Sequence, residues 1–114
     1  MTIRPYGPDK RPLTREEMDE LLPQVPQWTI VESADVPWLE RRFRFPNFVR
    51  ALTFTNAVGA LAEAINHHPA ILTEWGAVTV RWWTHAVKGI HLNDFIAAAK
   101  TDRLFAEQFE KSRS

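Results

Sequence analysis

Residues 63–94 read EAINHHPAILTEWGAVTVRWWTHAVKGIHLND, and the interpretation of the whole chain is built outward from this stretch. The stretch contains all four histidines of the protein, which are His67, His68, His85 and His91. Histidine is the side chain whose unperturbed charge changes nearest to physiological pH. Because all four histidines fall together, we predict a site at which protons are transferred. The remaining sequence is interpreted as the scaffold of this site.

The stretch begins in the last turns of a long predicted helix. From Pro46 to Asn66, apolar residues recur at spacings of about 3.6, which is typical of an amphipathic α-helix. Pro46 suits the first position of a helix, because an N–H group there would have no helical partner. Pro69 is expected to end the helix just after the paired histidines.

Two strands and a final helix are predicted after the histidine pair. Residues 71–75 predict a short strand, and the alternation of residue types over 78–84 predicts a second strand. His85 then lies at the C-terminal edge of that strand, where a side chain can point into a cleft. Asn93 is expected to cap a final helix from residue 94 to about residue 111. His91 is interpreted as a loop residue.

The N-terminal half has a similar layout of a helix followed by two strands. Residues 1–12 are rich in proline and predict a flexible arm. Thr14 and Glu17 have the spacing of a capping box, which predicts a short helix. The β-forming residues over 28–32 and the alternation over 39–45 predict an antiparallel hairpin.

The predicted element order is therefore α-β-β-α-β-β-α, within a single domain over residues 13–114. This order predicts an α+β fold, in which three helices pack on one face of a four-stranded antiparallel sheet. With 114 residues, of which 45% are apolar, the chain can bury a core without covalent cross-links.

Composition excludes several kinds of site. Fourteen basic residues balance fourteen acidic ones, so no overall field attracts nucleic acid or a membrane surface. The absence of cysteine excludes disulfides and thiolate chemistry. No apolar run resembles a secretory signal, and no window approaches the ~20 apolar residues of a membrane-spanning helix. We therefore expect a cytoplasmic protein.

The residues alone leave three interpretations of the histidines open. In the first, Glu63 and His67 share a helix face because they are four residues apart, and His85 faces them as an acid or a base. In the second, three histidines and Glu63 bind zinc, although their spacing matches no common ligand motif. In the third, His67 and His68 cap the last carbonyl groups of the helix.

The order of these residues resembles the pterin-4a-carbinolamine dehydratase family. The shared pattern is E-x-x-x-H-H-P, then T-H-x-x-x-G, then an aspartate five residues after the glycine. The matching residues are Glu63, His67, His68, Pro69, Thr84, His85, Gly89 and Asp94. The resemblance extends from residue 13 to about residue 102 and is closest to the bacterial branch associated with phenylalanine hydroxylase. Two departures are Trp75-Gly76, where Tyr-Asn is usual, and His91, where Thr or Ser often caps the last helix.

The resemblance implies a hydro-lyase. The family removes water from 4a-hydroxytetrahydrobiopterin, which is left after an aromatic amino acid is hydroxylated, and produces quinonoid dihydropterin. It uses no metal and no organic cofactor, since the pterin is the substrate. The resemblance also implies a homodimer or homotetramer and a functional link to phenylalanine hydroxylase. The alternative is a protein-binding module, because some relatives act as dimerisation or assembly factors.

The resemblance also assigns roles to individual residues. The implied catalytic residues are His67, His68, His85 and Glu63. We hypothesise that His68 and His85 transfer protons, that His67 positions the ring or serves the other 4a stereoisomer, and that Glu63 orients or polarises a histidine. The implied substrate-binding residues are His67, His68, Pro69, Thr84, His85, Ala86, Val87 and Asp94. The backbone over 84–87 is expected to bind the amide and amino edge of the pterin, and Asp94 either supports a histidine or starts the last helix.

Overall fold

The structure is a computed structural model, and it describes residues 12–33 and 35–107. The predicted arm over residues 1–12 and the predicted helix end near residue 111 lie almost entirely outside the described residues. In chain order the elements are α1 (Arg15–Leu21), a 3₁₀ turn (Leu22–Gln24), β1 (Thr29–Val31), β2 (Trp38–Arg44), α2 (Phe48–Ile65), β3 (Ala70–Glu74), β4 (Ala77–Trp82), a second 3₁₀ turn (His85–Val87) and α3 (Leu92–Phe105). The predicted order of helices and strands is confirmed.

The four strands form one antiparallel sheet in the order β1-β2-β4-β3. The two predicted hairpins are therefore joined through their second strands, β2 and β4, which lie at the centre. In this central pair Leu39 is opposite Trp82, and Phe43 is opposite Val78. Because side chains alternate along a strand, these four residues point to one side, which we call the helix face. The side chains at the alternate positions, such as Glu40 and Arg81, point to the opposite side, which we call the open face.

All three helices contribute to one core on the helix face. Met18 of α1, Phe54 of α2 and Phe95 of α3 are buried in the same cluster as the inward residues of β2 and β4. Phe43 is in contact with Phe54 at 4.7 Å between ring centroids and with Phe105 at 5.1 Å. This packing confirms the prediction of three helices on one face of the sheet.

The ends of α2 differ from the prediction. Asn47, rather than Pro46, precedes the first helical residue, and its side chain accepts a hydrogen bond from the backbone N–H of Arg50 at 2.9 Å. The helix ends at Ile65, because Asn66 adopts the left-handed conformation with φ of 53°. Asparagine tolerates this conformation better than most residues. The helix therefore stops before the paired histidines.

By length and composition alone, α2 is apolar and long enough to cross a membrane, which the sequence analysis did not expect of any segment. Ala51, Phe54 and Val58 of this helix are buried in the core. Only 22% of this helix is buried, however, so its place under the sheet accounts for one side of its apolar surface and not for the rest.

The start of α3 also differs from the prediction. His91, which was interpreted as a loop residue, is the N-cap, whereas Asn93 is the buried second residue of the helix. The His91 ring nitrogen Nδ1 accepts from the backbone N–H of Asn93 at 3.1 Å. In return, the Asp94 carboxylate accepts from the backbone N–H of His91 at 2.8 Å. A histidine thus replaces the usual hydroxyl or carboxamide of a capping box.

Candidate active site

Three element ends meet at a buried carboxylate, Asp94, which has no exposed surface. Its Oδ1 lies 2.6 Å from Nε2 of His67, just beyond α2. Its Oδ2 accepts from the hydroxyl of Thr84 at 2.7 Å, just beyond β4, and from the N–H of His91 at 2.8 Å, before α3. We call His67, Thr84, His91 and Asp94 the Asp94 network. Asp94 is therefore both a support for a histidine and part of a helix start, the two roles that the sequence analysis left open.

His67 is held from several sides and is almost completely buried. Its backbone N–H donates to the carbonyl of Ala62 at 3.1 Å. Its ring stacks on Trp82, with centroids 5.5 Å apart and planes inclined by 13°. The indole N–H of Trp82 in turn donates to the hydroxyl of Thr101 at 3.1 Å. Since an ionised carboxylate only accepts, the hydrogen of this contact lies on Nε2 of His67.

The adjacent His68 lies in the opposite environment. Its side chain is 59% exposed, and its Nε2 lies 2.5 Å from Oε2 of Glu63, whose side chain is 77% exposed. In the first interpretation of the histidines, Glu63 and His67 share a helix face if the helix continues, and this condition is not met. The i, i+4 rule requires a continuing helix, but α2 ends at Ile65 and Asn66 redirects the chain. Glu63 consequently reaches His68 instead.

His85 begins the 3₁₀ turn that follows Thr84, and its side chain is exposed. Its ring contacts Trp83 edge-on, with centroids 5.2 Å apart and an interplanar angle of 64°. Among residues 12–33 and 35–107, no hydrogen bond or ring contact joins His85 to His67 or His68. The link between His85 and the Asp94 network is the neighbouring Thr84, whose side chain is bound to Asp94.

The loop over residues 84–89 uses part of the backbone that was expected to bind a ligand. The N–H of Thr84 donates to the carbonyl of Gly89 at 2.9 Å, and the carbonyl of Thr84 accepts from Val87 and Gly89 at 3.3 Å. Gly89 is closely packed, since a Cβ atom there would lie 2.8 Å from the side chain of Pro12. In this loop Ala86 is exposed and Val87 is buried. The loop is therefore a defined platform for His85.

Pro69 is half-buried and leads the chain from the histidine pair directly into β3. The predicted site residues thus divide into three groups: the Asp94 network, the exposed Glu63–His68 pair, and His85 on its loop. In the part of the chain that the structure describes, no group of three or more His, Cys, Asp or Glu residues is placed to bind one metal ion. The arrangement provides one fixed imidazole and two exposed ones that can exchange protons with a ligand.

Sequence reasoning missed the partners of these histidines. Trp82 supports His67, Trp83 contacts His85, and His91 caps the helix that carries Asp94. The alternation over 78–84 does contain the signal for the tryptophans, because adjacent residues of a strand point to opposite faces. The His91 cap had a weaker signal, namely its position where a capping residue is usual in the resembling family.

Comparison with known proteins gives a consistent family assignment. The sequence profile of the family described as pterin 4 alpha carbinolamine dehydratase matches residues 11–104. A protein of Nitrosococcus oceani with the provisional name pterin-4-alpha-carbinolamine dehydratase is 58% identical over 97 residues, which are 85% of this chain and 86% of that protein.

Two solved structures are similar to this fold. The crystal structure of a transcriptional coactivator/pterin dehydratase from Brucella melitensis has a TM-score of 0.74 and 29% identity, and the match covers 82% of this chain and 98% of that one. A pterin dehydratase-like protein described as a RuBisCO assembly factor in the alpha-carboxysome has a TM-score of 0.57 and 24% identity, over 68% of this chain and 88% of that one. The second match supports the fold alone.

Proposed function

Because the chain belongs to the pterin-4a-carbinolamine dehydratase family, we propose that it dehydrates 4a-hydroxytetrahydrobiopterin to quinonoid dihydropterin by histidine acid/base catalysis. One observation carries the catalytic part of the proposal. A buried aspartate fixes His67 in one orientation, whereas the neighbouring His68 and the nearby loop residue His85 are exposed. A ligand that contacts both exposed rings meets two imidazoles that can give and take protons.

The reaction needs one acid and one base. The hydroxyl group on C4a leaves as water once it is protonated, and the electron pair of N5 forms the new C4a–N5 double bond. The proton on N5 is then lost to a base, so the atoms and electrons balance. We assign these two proton transfers to His68 and His85. Each such transfer typically contributes ~10²–10⁴-fold to a rate.

His67 and Glu63 act through position. His67 is too firmly held by Asp94 and Trp82 to swing with a reacting atom, and its role is to place the pterin ring. Glu63 orients His68 through their 2.5 Å contact. A carboxylate that accepts from one ring nitrogen of a histidine fixes which nitrogen faces the substrate. Ala86 and the rest of the loop over 84–89 provide the remaining substrate contacts, with Pro69 on the other side.

The proposal includes no metal and no organic cofactor, since the pterin is the substrate and the proton transfers need only side chains. We also place the protein in the cytoplasm, with a functional link to phenylalanine hydroxylase. A homodimer or homotetramer is supported by apolar side chains that α2 leaves exposed, since Phe48 is 45% and Val49 is 73% exposed. Such a patch on a small domain commonly marks a protein contact.

A protein-binding role is a second candidate. It is favoured by the name of the Brucella melitensis structure, which describes a transcriptional coactivator as well as a pterin dehydratase. The same exposed residues of α2 would serve a partner protein. The presence of Glu63 and the three site histidines favours the enzyme as the principal function.

A coupled hydroxylase assay tests the proposal. Phenylalanine hydroxylase generates the 4a-carbinolamine, and its absorbance is followed with and without this protein. We expect the decay of the carbinolamine absorbance to accelerate in proportion to the amount of this protein added. The decay should remain as fast when this protein alone has been dialysed against a chelator before the assay. A decay rate that stoichiometric protein leaves unchanged would contradict the enzymatic proposal and favour the protein-binding role.

A further inference from the structure

The open face of the sheet carries a pair of tryptophans that the acid/base chemistry does not use. The β2–β4 register places Leu39 opposite Trp82, so Trp38 and Trp83 lie opposite each other at the same end of the two strands. Their ring centroids are 6.4 Å apart with an interplanar angle of 52°. Both side chains are only partly buried. This pair lies at the end of the sheet from which the His85 loop emerges.

Trp38 is held in place by a charged pair on the same face. Its indole N–H donates to Oε1 of Glu40 at 3.1 Å, and the same oxygen accepts from Nε of Arg81 at 2.8 Å. The Arg81 guanidinium lies 5.0 Å from the Trp38 ring centroid, at cation–π distance. These contacts restrict the orientation of the Trp38 ring, which packs against one side of Trp83.

Trp83 differs from its neighbour Trp82 in what covers its ring. Trp82 is fully buried, and the ring of His67 stacks parallel on it. Trp83 is half-buried, and its two ring neighbours, Trp38 and His85, both meet it at steep angles of 52° and 64°. In the described part of the chain no ring stacks parallel on Trp83. Trp83 therefore keeps part of its side-chain surface exposed beside the exposed His85.

We propose that Trp83 is a substrate-binding residue, on which the planar guanidine and amide part of a reduced pterin's pyrimidinone ring stacks next to His85. The inference rests on the proposed function for the identity of the ligand, but the stacking surface is a feature of this chain. The pyrimidinone half of a pterin has the shape and polarity of a nucleobase. A flat heteroaromatic ring gains from stacking on an indole, and removing such a surface weakens binding by about tenfold or more.

The stacking surface predicts a selective loss of affinity. In Trp83→Leu an apolar side chain remains, but the flat π surface is lost, so the KM for the carbinolamine should rise about tenfold while kcat stays within about twofold. The Kd for 7,8-dihydropterin, which keeps the bicyclic ring but has no 4a-hydroxyl, should rise by the same factor in calorimetry. Trp83→Phe should recover most of the affinity, because it restores an aromatic face.

Trp75→Leu is the matched control. Trp75 is 70% exposed and precedes β4, so it lies at the opposite end of that strand from Trp83. This variant also exchanges a surface tryptophan for leucine, and it should leave KM and Kd unchanged. In the unaltered protein, the indole N–H resonance of Trp83 should shift on titration with 7,8-dihydropterin, whereas that of Trp75 should not. This measurement does not depend on how well a variant folds.

The outcomes separate this inference from the proposed function. If Trp83→Leu binds 7,8-dihydropterin as tightly as the unaltered protein and only melts earlier, Trp83 is a structural support and the inference is overturned alone. If the unaltered protein binds through Trp83 but does not accelerate dehydration, the inference stands and the proposed function fails. If the unaltered protein does not bind 7,8-dihydropterin at all, the inference is overturned, and the coupled hydroxylase assay decides the proposed function separately.

Discussion

His67 and His68 are neighbours in the chain, yet they occupy opposite environments. His67 is buried, bound to a buried aspartate and stacked on an indole ring. His68 is 59% exposed and is paired with an exposed glutamate. A buried imidazole with several partners has one orientation, whereas an exposed one can exchange protons with a ligand or with water. This difference is the basis of the proposal that His67 positions the substrate and His68 transfers a proton.

The buried His67–Asp94 pair and the exposed His68–Glu63 pair also differ in what they contribute to the stability of the fold. Breaking a buried hydrogen bond leaves polar groups without partners, which costs far more free energy than the bond itself contributes. Exposed ion pairs typically contribute less than about 1 kcal/mol, because water and salt replace the partner. Substitutions on the buried side should therefore lower both stability and activity. Substitutions on the exposed side should lower activity alone.

The largest expected effect is on the exposed side. The double variant His68→Ala/His85→Ala should lower kcat by ~10²–10⁴-fold, because it removes both proposed proton-transfer groups. Its free energy of unfolding should change by less than about 1 kcal/mol, since both side chains are exposed. The coupled hydroxylase assay measures the first quantity, and urea denaturation measures the second.

His67→Ala is the informative control for this experiment. It removes the neighbouring imidazole but leaves Asp94 partly unpaired in the interior, so it should lower the free energy of unfolding by about 2 kcal/mol. Normal turnover by the double variant would contradict the assignment of His68 and His85 as the proton-transfer residues. Equal stability losses in His67→Ala and His68→Ala would remove the proposed division between the two histidines.

The next largest effect is expected at Asp94. Asp94→Ala takes away the acceptor for His67, Thr84 and the N–H of His91 at once, so the free energy of unfolding should fall by about 3 kcal/mol. The midpoint of urea denaturation reports this loss. Asp94→Asn keeps the shape and one acceptor oxygen, so it should lose about half as much. An unchanged midpoint in Asp94→Ala would show that the network contributes little to the fold.

The smallest effect is expected at Glu63. Glu63→Gln removes the charge opposite His68 but keeps a hydrogen-bonding oxygen, so kcat should fall by only about twofold. Stability should stay within about 0.5 kcal/mol, because both partners are exposed. Both values come from the same two assays. A stability loss as large as that of Asp94→Ala would mean that the exposed pair, too, is structural.

The types and order of the elements were predictable from the sequence, because alternation and helical periodicity report local burial. The exact ends of the helices were less predictable. Asn47 and His91 displaced the expected Pro46 and Asn93 at the helix starts, since capping depends on a local hydrogen bond that several residue types can make. The shared helix face of Glu63 and His67 depended on a continuing helix, and one left-handed residue, Asn66, invalidates helical spacing beyond it.

Contacts between residues that are far apart in the chain could not be predicted from local sequence patterns. Asp102 of α3 accepts from the indole N–H of Trp28 at 2.7 Å and from Arg41 at 2.6 Å, although these residues are far apart in the chain. The support of His67 by Trp82 belongs to the same class. Such contacts depend on how the helices and strands pack together, which the pattern of residues within one segment does not predict. The sequence was enough to propose the histidines as site residues, but it did not predict that their environments differ.

The left-handed backbone of Asn66 has a consequence for protein engineering. Successive residues of a continuing helix are about 100° apart around its axis, so both histidines would stay on its outer surface. The reversal at Asn66 instead sends one ring inward and the next one outward. Grafting the letters HHP onto another helix would therefore transfer the residues without their asymmetry. The unit to transfer is the left-handed residue that ends the helix together with the two histidines that follow it. An engineer would have to keep asparagine, or introduce glycine, immediately before the histidine pair.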